Sequence, residues 1–409
     1  MTDSANLVDL KFAKHASTSD LTSTPTATTI HPLQRPTSLL RKSRNPIMRP
    51  HSRLDGRNLV HAWGAKDLSP FTIEMEMRGA SGNVGDDMTW QSVTEQGSIL
   101  DCMFGADAAA ITVGTVPTLS TFSGTSVTLA GGAAACDVGD MIGVLDTSGN
   151  LQIREITAGA LSVNLTVDRA LTGTPSTGSI VYHCGRWNHD ASVTAHKHGY
   201  FRAEWDTHRT DYYGCAPKSF ELDFVDGAPV VFRHTWMPND WADVANANPS
   251  YAAPVAGGLI TGNLQFFIGS TQFLIRDAKF SVDNGTVQRK TGSGPNGVQG
   301  GVAADKRQIL MTGSLYLGDN ALSLNEIVDD SGTPALGIFT GDSAVAGDLA
   351  GTYDVAIQAG TAVGQAMYLR IPATAFRGNV VEKDGLLCVD FTAMATAPSS
   401  GSQVRLGII

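Results

Sequence analysis

The chain is short of charge. Asp, Glu, Lys and Arg make up 17% of its 409 residues, against 42% hydrophobic. Soluble domains average about 25% charged residues, so this chain can bury a sizeable core. Its length points to one large domain or two. No run approaches the roughly 18 consecutive apolar residues of a membrane helix. Met1 to Lys14 has no apolar stretch of signal-peptide type, so the chain is expected to stay in the cytoplasm. Cysteine is scarce: Cys102, Cys136, Cys184, Cys215 and Cys388 are an odd, scattered set without CxxC spacing. That pattern argues against a disulfide framework or a zinc knuckle and for reduced, buried thiols.

Catalytic signatures are missing as well. There is no nucleophile elbow, Walker A loop, HExxH pair or dinucleotide glycine pattern in a fitting context. Gly292 to Gly297 is glycine-rich but lacks a following Lys-Ser/Thr and a helix, so a hairpin tip is expected. The pairs Asp86–Asp87 and Asp329–Asp330 stand in helix-cap or turn contexts. Trp187 to His208 is the one segment dense in ligand-type side chains, with His189, Asp190, His196, His198, Glu204, Asp206 and His208. A metal site needs three or four convergent ligands. His196 and His198 would share one strand face, but a polar loop or a subunit contact is the expectation. No catalytic residue, cofactor or metal ligand is therefore assigned. A metal-dependent hydrolase built on this segment is the enzymatic rival.

What the chain does hold is 44 glycines and many short apolar runs bounded by Gly, Asp, Asn and Pro. That is the pattern of a mainly β protein. Phe71, Ile73, Met75 and Met77 would share one face of a strand, opposite Thr72, Glu74 and Glu76. Phe220–Phe224 and Val230–Trp236, around Val225–Gly227, read as a hairpin. Further strands are expected at Phe273–Val282, Gln308–Leu317, Tyr353–Gln358, Ala366–Ile371 and Leu386–Met394. One helix is expected over Asp86–Phe104, with Trp90, Val93, Leu100 and Phe104 in a one-sided stripe and Gly105 as its stop. Residues 1–30 are expected to form a flexible arm. Residues 106–184 read as an inserted outer β-domain standing clear of the body, with strand-like runs at Ala110–Val113, Ser126–Leu129, Met141–Leu145, Gln152–Ile156, Leu161–Val167 and Ser179–His183. Residues 31–105 and 185–409 would then form the main domain.

Net charge is −10 and uneven: residues 1–57 sum to +5 and the rest to −15. Within 106–184 only two residues are basic, Arg154 and Arg169. The basic run holds Arg41, Arg44, Arg49, Arg53 and Arg57 with no interleaved aromatic until Trp63. Single-strand binders add stacking aromatics, so docking on an acidic neighbouring subunit is the expectation.

Several segments, in order, resemble the tail tube proteins of tailed bacteriophages. They are Leu39–Arg44, then Phe71–Gly79, then the helix ending in Leu100–Gly105, then Lys218–Phe224. The most telling are Ala278–Val282 ending in Asp283-Asn284-Gly285, and Arg307–Leu317 containing Thr312-Gly313-Ser314-Leu315. The resemblance implies a tail-tube-type β-sandwich or barrel with one flanking α-helix and an inserted small β-domain. It implies hexameric rings stacked into a hollow tube in the virion tail, assembled in the host cytoplasm. Partners would be further copies, the tape-measure, tail terminator and baseplate proteins, and double-stranded DNA passing through the lumen, with no membrane. Assembly contacts are expected at Arg41, Arg44, Arg49, Arg53, Arg57, Asp283, Asn284 and Gly285. Another tail or baseplate part, such as a distal tail protein, is the structural rival.

Overall fold

The structure is a computed structural model that describes residues 9–15, 31–32, 44–50, 59–66, 69–79, 95–105, 117–130, 136–159, 163–189, 197–204, 208–245, 258–289, 299–302, 307–316, 353–396 and 402–409. The chain runs β1 (Asp9–Lys14), β2 (His31–Pro32), β3 (Arg44–Pro50), β4 (Leu59–Lys66), β5 (Phe71–Glu76) and α1 (Glu95–Phe104). There follow β6 (Thr118–Ser123), β7 (Ser126–Ala130), β8 (Met141–Leu145), β9 (Leu151–Ala158), β10 (Asn164–Val167) and β11 (Tyr182–His183). Next come β12 (Gly185–His189), β13 (Gly199–Glu204), β14 (His208–Val225), β15 (Val231–Met237) and β16 (Asp240–Ala245). Then come β17 (Leu264–Ile268), β18 (Thr271–Phe273), β19 (Ile275–Asp283), β20 (Val287–Arg289), β21 (Gln299–Val302) and β22 (Gln308–Tyr316). Last are β23 (Tyr353–Ala359), β24 (Met367–Lys383), β25 (Leu386–Ala395) and β26 (Val404–Ile408). The protein is mainly β, with one helix among the described residues, and no helix there is long and apolar enough to cross a membrane.

Two long strands organise the main sheet. The first half of β14 pairs with β13 and β16, and its second half with β15 and β19. The first half of β24 pairs with β23 and β26, and its second half with β25. Each long strand thus passes from one packed layer to another, and the layers share one core. Alternation places the apolar set inside: Phe71, Ile73, Met75 and Met77 on β5 and beyond it, Phe220, Leu222 and Phe224 on β14, and Phe232 and Trp236 on β15 are all buried. The hairpin expected at Phe220–Trp236 forms, with Leu222 opposite Phe232. The strands expected near Phe273, Gln308, Tyr353, Ala366 and Leu386 form as well, and β24 runs to Lys383, well past Ile371. The main sheet stays open among the described residues.

The described helix begins at Glu95, and the expected first turns, with Trp90 and Val93, fall outside the described residues. Gly105, in the left-handed region at φ 80°, donates its N–H to the Asp101 carbonyl at 3.0 Å and ends the helix as expected. The one-sided stripe is not what forms. Every residue from Gln96 to Phe104 is buried, because β1, β12 and β14 pack around α1. The buried carboxylate of Asp101 therefore needs partners. It accepts from Lys14 Nζ at 2.6 Å and from Trp187 Nε1 at 2.9 Å.

Residues 9–14 correct the expectation of a flexible arm. They form β1, paired along its whole length with β13, and bury Leu10, Phe12 and Ala13. Phe12 packs against Phe201 and Trp236, with ring centres 4.8 and 5.5 Å away. Lys11, itself buried, pairs with buried Glu204 at 2.9 Å. The low-complexity stretch after Lys14 hid an apolar strand only six residues long.

Residues 118–183 form a second sheet, in the order β11-β8-β9-β10-β7-β6. It curls until β6 meets the segment before β11, where Leu119 N–H donates to Ser179 O at 2.9 Å and Val181 N–H to Pro117 O at 2.9 Å. β6 was not expected from the sequence, and the expected run at Ala110–Val113 lies outside the described residues. The expectation that this module stands clear of the body is corrected, because β8 and β9 are buried on both faces. One face holds the module's own core, including Ile142, Val144 and Ile156. The other, with Met141, Leu151 and Ile153, packs on Ala356, Ala366, Tyr368 and Ile409 of the main sheet. Around this contact lies a buried ion network. Glu155, fully buried, pairs with Arg370 at 2.7 Å and with Arg405. Asp354 accepts Arg370 Nη2 at 2.7 Å and Arg169 Nη2 at 2.8 Å. Asp168 pairs with Arg169 and accepts the Tyr368 hydroxyl at 2.5 Å. Both basic residues of the module, Arg154 and Arg169, are buried.

Candidate functional site

A continuous solvent-facing surface is formed by the outer face of seven consecutive antiparallel strands: β5, β15, the second half of β14, β19, β22, β25 and the second half of β24. Where the inner positions are apolar, most of the outer ones are charged or hydroxylic, with Leu310, Ala375 and Met394 as an apolar exception at one end. Arg233 on β15 bridges Glu74 on β5, at 2.5 Å, and Asp223 on β14. Lys279 on β19 reaches Glu221 on β14 at 2.7 Å. Lys383 on β24 reaches Asp390 on β25 at 2.6 Å. Arg276 reaches Asp384 at 2.8 Å. Glu76, Asp277 and Asp283 add further carboxylates to this face, so its acids outnumber its bases.

A shallow groove of about 490 Å³ crosses the face between Asp223 and Thr392. Gly313 forms part of its floor. A β-carbon there would come within 2.3 Å of the Asp277 carbonyl oxygen, at the bulge in β19. This gives the Thr312-Gly313-Ser314 string a physical reason: only glycine allows β19 and β22 to approach so closely. Next to it, Lys383 Nζ donates to Ser314 Oγ at 2.6 Å and Ser314 donates to Asp390 at 2.5 Å. A serine beside a lysine suggests an activated nucleophile. Its bond to Asp390, however, raises the Lys383 pKa above the ordinary amine value. The lysine is an ammonium, and an ammonium takes no proton from Ser314. Burial works to raise the Asp390 pKa, but the bonds from Lys383 and Ser314 outweigh it and lower the pKa. The trio is a polar lock between strands.

The described residues of the histidine-rich segment do not converge. His189 is fully buried and its Nε2 lies 3.3 Å from Asn284 Oδ1. His198 faces the region of His15, and burial, then His15, holds its pKa down at about 4. Glu204 takes Lys11. Asp190, His196 and Asp206 lie outside the described residues. Among the described residues, no three His, Cys, Asp or Glu side chains are placed to hold a metal ion. The five cysteines are free and buried. Cys136 lies 3.9 Å from His183, but burial raises the thiol to about 11 and lowers the imidazole to about 4, so the pair stays neutral.

The expected assembly residues separate. Arg41, Arg53 and Arg57 lie outside the described residues. Arg44 and Arg49 belong to β3, which among the described residues pairs with β4 alone, in a two-stranded sheet. Asp283 is exposed and accepts the Gly285 N–H at 2.8 Å, while Gly285 takes φ 63° to make the turn. Asn284 corrects its assignment. It is fully buried against His189, so it positions the turn from inside and offers no side chain to a neighbour. No motif marked Gln96, which turns out to sit at a sheet border. Its only signal was a polar residue in a helix too apolar for the surface.

The two border strands of the seven have one partner strand each. Among the described residues, β5 pairs with β15 alone. Residues 375–383 of β24 pair with β25 alone. Compared with known proteins, the sequence matches no family model and no curated protein.

Proposed function

We propose that the chain is a structural virion protein, the tube subunit of a bacteriophage tail. The observation that carries this reading is the pair of single-partner strands, β5 and the end of β24, on opposite borders of one antiparallel sheet. Such borders recruit further strands. If β5 of one copy pairs with β24 of the next, the sheet continues around a ring and its borders disappear. Six antiparallel steps separate β5 from β24, so the two point the same way. A rotation that relates the copies keeps that direction, and the joint between copies is therefore parallel.

The polar outer face fits a lumen. Its excess of carboxylates would repel DNA phosphates and let a genome slide. The basic segment around β3 and β4 would bridge to the acidic body of a neighbour. Partners on this reading are further copies in hexameric rings, tape-measure, terminator and baseplate proteins, and double-stranded DNA in passage. Electron microscopy of the purified protein, with sedimentation velocity, tests the proposal. Hollow rings or tubes are expected; a stable monomer at high concentration would end it.

A further inference from the structure

Nine large hydrophobic side chains are exposed among the described residues, and four of them gather at one end of the seven-stranded sheet. Leu386 and Leu387 are 55% and 46% exposed, beside Leu274 and Val225 at the ends of neighbouring strands. The β24–β25 hairpin carries its leucines outward. Its last pair, Lys383 with Leu386, lies beyond Tyr316, the last residue of β22, which pairs with Cys388. Asp384 at φ 52° and Gly385 at φ 77° turn the tip tightly. Successive strand residues point to opposite faces. Exposure of both leucines therefore leaves an uncovered apolar side chain on each face of the tip, although Asp384 reaches back to Arg276.

A second apolar spot lies at the other end of β25, eight residues or roughly 27 Å away. There Met394 is 46% exposed, flanked across the strands by Leu310 and Ala375. Charge differs between the two ends. The tip end presents exposed Asp226, Glu382 and Asp384 with Lys383 and Arg276, the latter paired with Asp384. The Met394 end has half-buried Lys218 and Arg307 with exposed Asp283, so the tip end is the more acidic. Four part-exposed side chains fall well short of the roughly 800 Å² per partner of a stable pairwise interface. Such a contact serves when many copies repeat it.

We infer that the β24–β25 tip of one copy docks head to tail on the Met394 patch of a second copy. The inference rests on the tube reading and adds the contact that stacks one ring on the next. Two different patches make a heterologous contact, which builds an open stack and not a closed pair.

Sedimentation velocity and electron microscopy of full-length Leu386→Asp/Leu387→Asp test it, with Met394→Asp as the reciprocal variant. Val163→Asp, at an exposed apolar site on the second sheet, is the control. The concentration for stacking is expected to rise at least tenfold in both test variants, with rings retained and the control unchanged. A mixture of Leu387→Cys and Met394→Cys copies is expected to crosslink, since the native cysteines are buried. Stacks that form as in the parent protein overturn the inference and leave the ring reading standing. A parent protein that stays monomeric, with no crosslink in the mixture, overturns both.

Discussion

The side-chain amide of Gln96 donates to the carbonyl oxygen of Glu76 at 2.9 Å. Its Oε1 accepts the N–H of Arg78 at 3.0 Å. One helical side chain thus makes both bonds that a neighbouring strand would make at the end of β5. It marks where sheet extension along that border must stop.

Replacing Gln96 with Leu leaves two backbone groups without their partner next to a buried helix. The expected cost is about 1–3 kcal/mol for these unmade bonds. Chemical denaturation would measure it. Gln96→Glu keeps the acceptor for Arg78, loses the donor to Glu76, and adds a buried charge. A Leu variant as stable as the parent would show that water replaces the amide.

Glu155→Gln removes the carboxylate between Arg370 and Arg405. Breaking a buried pair from one side typically costs about 3–5 kcal/mol. The loosening should concentrate where β8 and β9 meet the main sheet, and hydrogen exchange would locate it. Deleting residues 106–184 is expected to give insoluble protein, because Ala356, Ala366 and Tyr368 lose their cover. A soluble, assembling deletion would mean that the main sheet holds without it.

Acid should unfold the protein early. Burial holds His183 and His198 down at about 4 and His234 at about 3, all below the ordinary value of 6.5. The unfolded chain binds these protons first, so the stability these groups contribute is complete above pH 6.5. It is lost as pH falls from 6.5 towards 4 and 3. At pH 5 each group would account for roughly 2 kcal/mol of the loss. Denaturation curves at pH 7 and pH 5 would check this. Equal stability at the two values would sink the account.

The outer ladder should behave differently from the buried network. Lys279 is nearly half exposed in its pair with Glu221. Lys279→Ala should change stability by less than about 1 kcal/mol. A larger loss in a denaturation series would mean that the face is covered in solution.

The strands were legible in the sequence wherever apolar and polar residues alternate on a half-buried sheet, as in Phe71–Met77 and Phe220–Phe224. β8 and β9 were legible as strands too, at Met141–Leu145 and Gln152–Ile156, but their burial on both faces was not. There Gln152, Arg154 and Glu155 sit among apolar residues yet are buried: Gln152 bonds the Thr172 carbonyl, Arg154 the Ala170 carbonyl, and the charge of Glu155 is met by Arg370, far off in sequence. The segment Asp9–Lys14 failed for another reason: six residues amid low-complexity sequence give too little periodicity to read. Asn284 was legible as a turn residue, but the direction of its side chain depends on His189, which no local pattern reveals.

The second module sequesters both of its arginines, so its solvent-facing side chains include no cation at all. Three of its acids, Asp140, Glu155 and Asp168, have buried side chains too, so the charges it shows among the described residues are few and of one sign, Asp137 and Asp146. A filament that displays them along its length would repel its own kind at low ionic strength. Added salt, by screening that repulsion, should bring the filaments into bundles.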